Sequence, residues 1–142
     1  MRSMSFALTP DQIRRQTKTV TRRTGWLFLK PGTLLQPVVK SQGIKKGEHV
    51  EKIGGPIEVV GVRRERLEEL TKDGVYGARE VELEGFGGKM SPRQFVDFFC
   101  ATHGCMVRDQ VTRIAFRYVK TAKRDAEARP PFTTITTTKS RD

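Results

Sequence analysis

The stretch Ser91–Val119, SPRQFVDFFCATHGCMVRDQVTRIAFRYV, changes periodicity halfway along. Its first half carries the marks of a helix start: a hydroxyl at Ser91 for the N-cap, Pro92 at the first helical position, and Gln94 placed to close a capping box. Phe95, Phe98 and Phe99 follow at helical spacing, and Gly104 supplies a left-handed stop. Its second half alternates. Val111, Ile114, Phe116 and Tyr118 are the candidates for a buried face of a final strand, with a slip of phase near Arg113–Ile114.

The same mixture continues upstream. SMSFAL predicts a short strand. TPDQIRRQ predicts a helix with Thr9 at the N-cap, Pro10 at the first position and Gln12 completing a second capping box. KTVTRR alternates like a strand. GWLFLKPGTLLQPVVKSQG gives an apolar run, a Pro-Gly turn and a short helix from about Thr33, stopped at Gly43; Pro37 sits awkwardly in that helix. A hairpin is predicted from strand Glu48–Ile53, turn Gly54-Gly55-Pro56 and strand Ile57–Arg64. RLEELTKDG and YGAREVELEGF predict short helices. Helices and strands without a βαβ rhythm indicate an α+β fold with a mostly antiparallel, curled sheet.

The chain has 142 residues, which fits one domain able to bury a real core. Hydrophobic residues make up 36%, low for a compact protein. The part from Lys120 to Asp142 is poor in large apolar residues, with a Pro pair and a Thr run, and reads as a basic, disordered tail behind a domain spanning residues 1–119. Net charge is +11, which raises the prospect of nucleic acid or another polyanion as partner. Most of the excess lies in the domain, since the tail holds only six of the 27 cations and three of the 16 acids. Two neighbouring cysteines are no secreted disulfide framework. No apolar run is long enough for a membrane span, and MRSMSFALTP lacks a signal-peptide core, so a cytoplasmic monomer is expected.

Gln16–Arg23, QTKTVTRR, concentrates three threonines and three cations around one apolar residue, Val20. A solvated edge strand and a wall that holds an anion or a nucleobase are both open on this pattern alone. In a regular strand Lys18 and Thr21 point to opposite faces, so they converge only where a bulge or junction intervenes.

Three segments in order carry a family resemblance: the strand, helix and KTVTRR of Ser5–Arg23; GW, KPG and GIKKGE within Gly25–Glu48; and LEGF, MSPRQFVDFF and the closing VTRIAFRYV. Together they resemble the ASCH domain family of the PUA-like superfamily, in its phage and bacterial form, over about residues 3–119. The resemblance implies a small β-barrel with flanking short helices and a cleft lined by the K-T-x-T-R segment. It implies binding of RNA or of a modified nucleobase or nucleoside, DNA being a further option. Some members are amidohydrolases that remove an acetyl group from acetylcytidine through a Lys, a Thr and a downstream Glu. Carried over, these are Lys18, Thr21 and Glu84. A ribonuclease activity has also been proposed for some relatives.

The residues have the chemistry such roles need. A threonine becomes a nucleophile when a base takes its proton, and a lysine is that base only when burial or neighbouring cations lower its pKa. Lys18, Thr19, Thr21, Arg22 and Arg23 are the candidate ligand-binding residues, with at most one of the adjacent arginines facing a cleft. Lys40, Lys45, Lys46, Arg63, Arg64 and Lys89 are candidates for a wider basic surface. Trp26, the one tryptophan, either stacks a base or packs in the core. Glu84 precedes Gly85-Phe86-Gly87-Gly88, with Glu80 and Glu82 as competing carboxylates. Cys100, His103 and Cys105 lack the companions of a tetrahedral metal site, so neither metal nor other cofactor is expected. Three functions follow as alternatives: binding of RNA or a modified nucleoside, amide hydrolysis on an acylated cytidine, or a non-catalytic protein-interaction factor of phage or bacterial type.

Overall fold

The structure is a computed structural model that describes residues 1–40 and 50–120. Its elements are β1 (Arg2–Ser5), α1 (Pro10–Arg14), β2 (Val20–Arg23), β3 (Leu34–Val38), β4 (Ile57–Arg66), α2 (Glu69–Lys72), α3 (Gly74–Val81), a π-helical turn (Glu82–Phe86), α4 (Pro92–His103) and β5 (Gln110–Tyr118). The five strands form one sheet in the order β1-β3-β4-β5-β2, with β1 parallel to β3 and the other pairs antiparallel. This is the α+β class with a mostly antiparallel sheet that the sequence predicts.

The sheet does not close into the expected barrel. Its edges, β1 and β2, are four residues each and pair only inward, with β3 and β5. Closure needs strands long enough to tilt and stagger around a common axis. A cleft opens there instead, with Ser5 and Phe6 on one wall and Thr21, Arg22 and Arg23 on another.

β5 serves two cores, which explains its slip of phase. Ile114 and Phe116 join Met4, Phe6, Leu35 and Ile57 in one cluster, while Val111 joins Leu67, Leu70, Val81, Phe95 and Phe99 in a second beneath the helices. A register shift in β4 between Val59 and Gly61 accompanies the change. α4 forms as predicted, with the Ser91–Gln94 capping box closed in both directions and Gly104 left-handed at φ 67°.

Two predicted elements differ. The helix from Thr33 is the strand β3: Pro37 removes a helical donor, while a strand leaves Leu35 and Val38 buried against β1 and β4. Strand Ile57–Arg64 forms as β4, but it pairs with β3 and β5, and the chain before it contributes only an isolated bridge from Lys52 to Val38. The predicted stop at Gly43, Glu48 at the head of the hairpin, Lys45, Lys46 and nearly all of the tail lie outside the described residues. Among the described residues no helix is long and apolar enough to cross a membrane.

Candidate functional site

The site is built from β2 and the π-helical turn. Thr19 ties the two together: its N–H donates to the Leu83 carbonyl (3.0 Å), and its own carbonyl accepts from Phe116 N (3.0 Å). The turn is pinned from the other side by α1, where Gln12 Nε2 donates to the Gly85 carbonyl (3.2 Å). That contact is why the second predicted capping box does not form: Thr9 caps α1 without a side-chain bond, and Gln12 is spent on the turn. Gly85 takes φ 99°, a left-handed conformation that lets the turn present Glu84 inward.

Glu84 is buried and accepts two cations at once. Lys18 Nζ donates to its Oε1 (2.9 Å) and to its backbone carbonyl (2.7 Å), and Arg22 Nη1 donates to its Oε2 (2.9 Å). Arg22 has a fully buried side chain and goes on to Glu65 Oε2 (2.8 Å) and Glu80 Oε1 (2.6 Å). Arg113 closes the array on Glu80 through two bonds of 2.6 and 3.0 Å. Tyr76 OH donates to Glu65 Oε1 (2.7 Å).

The sheet register explains this array. Arg22 of β2 lies opposite Arg113 of β5, which lies opposite Arg63 of β4. Three arginines in one cross-strand row repel one another. Glu65 and Glu80 intercalate among their guanidinium groups, and Glu84 takes the free end of Arg22. Burial works against the charge on Arg22, but the carboxylates more than offset it and raise its pKa. Burial also works against the charges of Glu65 and Glu80, and their hydrogen bonds to Tyr76, Arg22 and Arg113 hold both below the usual carboxylate value.

Lys18 has the opposite balance. Burial lowers its pKa, only partly countered by Glu84, and the cations of Arg23 and Arg22 act in the same direction as burial. Two of its three ammonium donors are on Glu84, leaving one for the cleft.

Arg23 parts from Arg22. Its guanidinium lies over the Phe6 ring, 4.8 Å from the centroid, and its Nε donates to Thr21 Oγ1 (3.1 Å). The cleft above this floor measures about 180 Å³ and is walled by Phe86, Phe95, Phe98 and Phe99 of the turn and α4, with His103 at the end of the helix. Burial and Arg23 lower the His103 pKa, which favours the neutral imidazole.

Lys18, Thr21, Arg22, Arg23 and Glu84 therefore meet at one cleft, despite the odd spacing of Lys18 and Thr21. Lys18 precedes the regular strand, and alternation does not bind it. No hydrogen bond joins Lys18 to Thr21; each is engaged by another partner. Thr19 lies outside the cleft wall, its backbone bridging turn and sheet. Trp26 also lies outside: it packs on the core under Arg2, whose guanidinium sits 4.4 Å from the ring, and borders a separate surface hollow with Leu27 and Phe28. Cys100 and Cys105 are free thiols 3.9 Å apart, and burial raises Cys100 to about 11. Sequence reasoning missed Glu65, Arg113 and Tyr76, which no local motif marks, and treated Glu80 only as a rival to Glu84.

No protein-family model matches the chain, and no curated protein matches it. Among solved structures, it is similar to a mutant of the ASCH protein of Zymomonas mobilis. The two are 16% identical, with 93% of this chain and 81% of that one covered, at a TM-score of 0.47.

Proposed function

We propose that this chain is an ASCH-type protein that binds a nucleobase or nucleoside, modified on its ring, in the cleft between β2 and α4. One observation carries the reading: a phenylalanine wall faces a polar floor of Lys18, Thr21, Arg23 and Glu84 across a cleft of about 180 Å³. A planar ring would stack on the aromatic side, as bases do on phenylalanine at roughly 1–3 kcal/mol each. The floor would address its polar edge. The size favours a single ring system, since drug-sized sites run to about 300–1,000 Å³. A stretch of RNA is less well served here, because Lys18 and Arg22 are both consumed by internal carboxylates. The order of segments that resembles the ASCH family supports the same reading. Titration with cytidine and N4-acetylcytidine, followed through the amide signals of Thr21, Arg23 and Phe99, tests it; no shift of those signals sinks it.

A second reading is amide hydrolysis on an acylated nucleobase. What favours it is a buried lysine of lowered proton affinity, beside a carboxylate and on the same floor as a threonine hydroxyl. In that reaction neutral Lys18 takes the Thr21 proton, and Oγ1 attacks the amide carbonyl. The amine leaves with the proton, and water then releases the acyl group from Thr21 as a carboxylic acid. Arg23 would stabilise the oxyanion. Incubation with N4-acetylcytidine and chromatography for cytidine decides it. Product from the wild type and none from Lys18→Ala or Thr21→Ala, each still folded, is the expected result; a clean absence of product from the wild type rejects acetylcytidine as substrate.

A further inference from the structure

The charges around the cleft do not balance. Glu65, Glu80 and Glu84 are matched by Lys18, Arg22 and Arg113, with Arg63 adding a partly exposed cation on Glu65. Arg23 is left over. Among the described residues it forms no ion pair; its partners are the Thr21 hydroxyl, which occupies Nε, and the face of Phe6. Its two terminal amino groups have no acceptor among the described residues, although the side chain is largely withdrawn from water and lines the cleft. A cation held this way is costly until it meets an anion. The neighbouring groups do not supply one: Thr21 and His103 offer no negative charge, and Glu84 is already shared between Lys18 and Arg22. The charge of Arg23 is felt across the site, acting on both Lys18 and His103 to disfavour their protonated forms.

We infer that Arg23 is an anion-recognition residue, and that the ligand class of this cleft is a planar ring bearing one carboxylate-like anionic substituent, the ring against the α4 phenylalanines and the anion on the Arg23 guanidinium. The fork of terminal donors suits a planar carboxylate, taken in two parallel bonds. The inference rests on the cleft being the ligand site, as in the proposed function, but not on the ligand being a nucleoside.

The test uses the full chain and two isosteric probes, benzoate and benzamide, with cytidine as a third arm. Affinities are read from amide shifts at Thr21, Arg23 and Phe99. Benzoate is expected to bind at these residues at least about tenfold more tightly than benzamide, the contribution of a charge-assisted bond in a partly desolvated site. Arg23→Gln is expected to abolish that preference, bringing benzoate down to the affinity of benzamide, and Arg23→Lys to retain part of it. The lysine variant keeps the result readable should the glutamine variant fail to fold. Equal affinities in the wild type, shifts confined to residues outside the cleft, binding of neither probe, or a preference untouched in the folded glutamine variant would each overturn the inference. Cytidine binding without a benzoate preference removes the anion site and keeps the nucleoside reading. The converse keeps the anion site and removes the nucleoside reading.

Discussion

Lys18 reaches Glu84 twice, at the carboxylate (2.9 Å) and at the backbone carbonyl (2.7 Å), so one ammonium fixes both the side chain and the peptide of the turn. The other carboxylate oxygen holds Arg22, so a neutral residue at Glu84 leaves the buried Lys18 without its carboxylate and takes from Arg22 one of its three. Breaking a buried pair by removing one partner costs about 3–5 kcal/mol. Glu84→Gln is expected to lose that much in urea unfolding with an unchanged m-value. Glu82→Gln, two residues away and exposed, is expected to stay within about 0.5 kcal/mol of the wild type. A Glu84→Gln protein as stable as that control would mean the pairing contributes little.

Acid should unfold the protein through the same array. Glu65 and Glu80 have folded-state pKa values below their reference of 4.5, because Tyr76, Arg22 and Arg113 outweigh the effect of burial. Their contribution to stability is therefore complete above 4.5 and is lost as pH falls below it through the folded values, where the unfolded chain binds more protons than the native one. Stability measured by urea titration is expected to be flat from neutrality to about pH 5 and to decline below pH 4.5. Arg113→Met should flatten the decline by removing two of the bonds that keep Glu80 ionised. A decline of the same slope in wild type and variant would place the acid sensitivity elsewhere.

What was legible in the sequence was local. The α4 cap, its Gly104 stop and the β5 alternation depend on residues a few positions apart, and each appears as read. The KTVTRR segment was legible as a cation-rich wall because composition marks it, but only Val20–Arg23 of it is strand, with Lys18 and Thr19 ahead of it. Elements that depend on distant partners were not. β3 is a strand because β1 and β4 flank it, and nothing within Leu34–Val38 announces those neighbours. Gln12 leaves its cap for a carbonyl on the far turn. Glu65 and Arg113 become part of the site only through the register that lines up three arginines across the sheet. Trp26 stood out by rarity alone, and rarity says nothing about direction.

Trp26 provides a contrast to the cleft residues. It takes φ 60°, packs on the core under Arg2 and has no place in the cleft wall. Trp26→Phe is expected to leave the affinity for cleft ligands unchanged, while Phe98→Ala on the aromatic wall weakens it by a factor consistent with about 1 kcal/mol or more of lost stacking. The same titration reads both. A loss of binding on replacing Trp26, with the fold intact by near-ultraviolet circular dichroism, would move the stacking surface to the β2–β3 loop.

Gly85 is the residue on which the position of Glu84 turns. At φ 99° a side chain is strained by roughly 1–2 kcal/mol. An added Cβ would also stand 2.9 Å from Gln12 Cγ and 3.5 Å from Lys18 Cβ. Gly85→Ala should therefore destabilise by about 2 kcal/mol or more and shift the amide signals of Lys18 and Leu83. The two causes separate in a double-mutant cycle. Gln12→Ala removes the 2.9 Å contact with Cγ but neither the strain nor the 3.2 Å approach of Gln12 Cβ, so the cost of Gly85→Ala in that background should fall by the Cγ part alone. Full recovery would show that the left-handed backbone at Gly85 is not itself required. No recovery would show that Gln12 already yields, and that the conformation of the turn alone sets where the carboxylate of Glu84 meets Lys18.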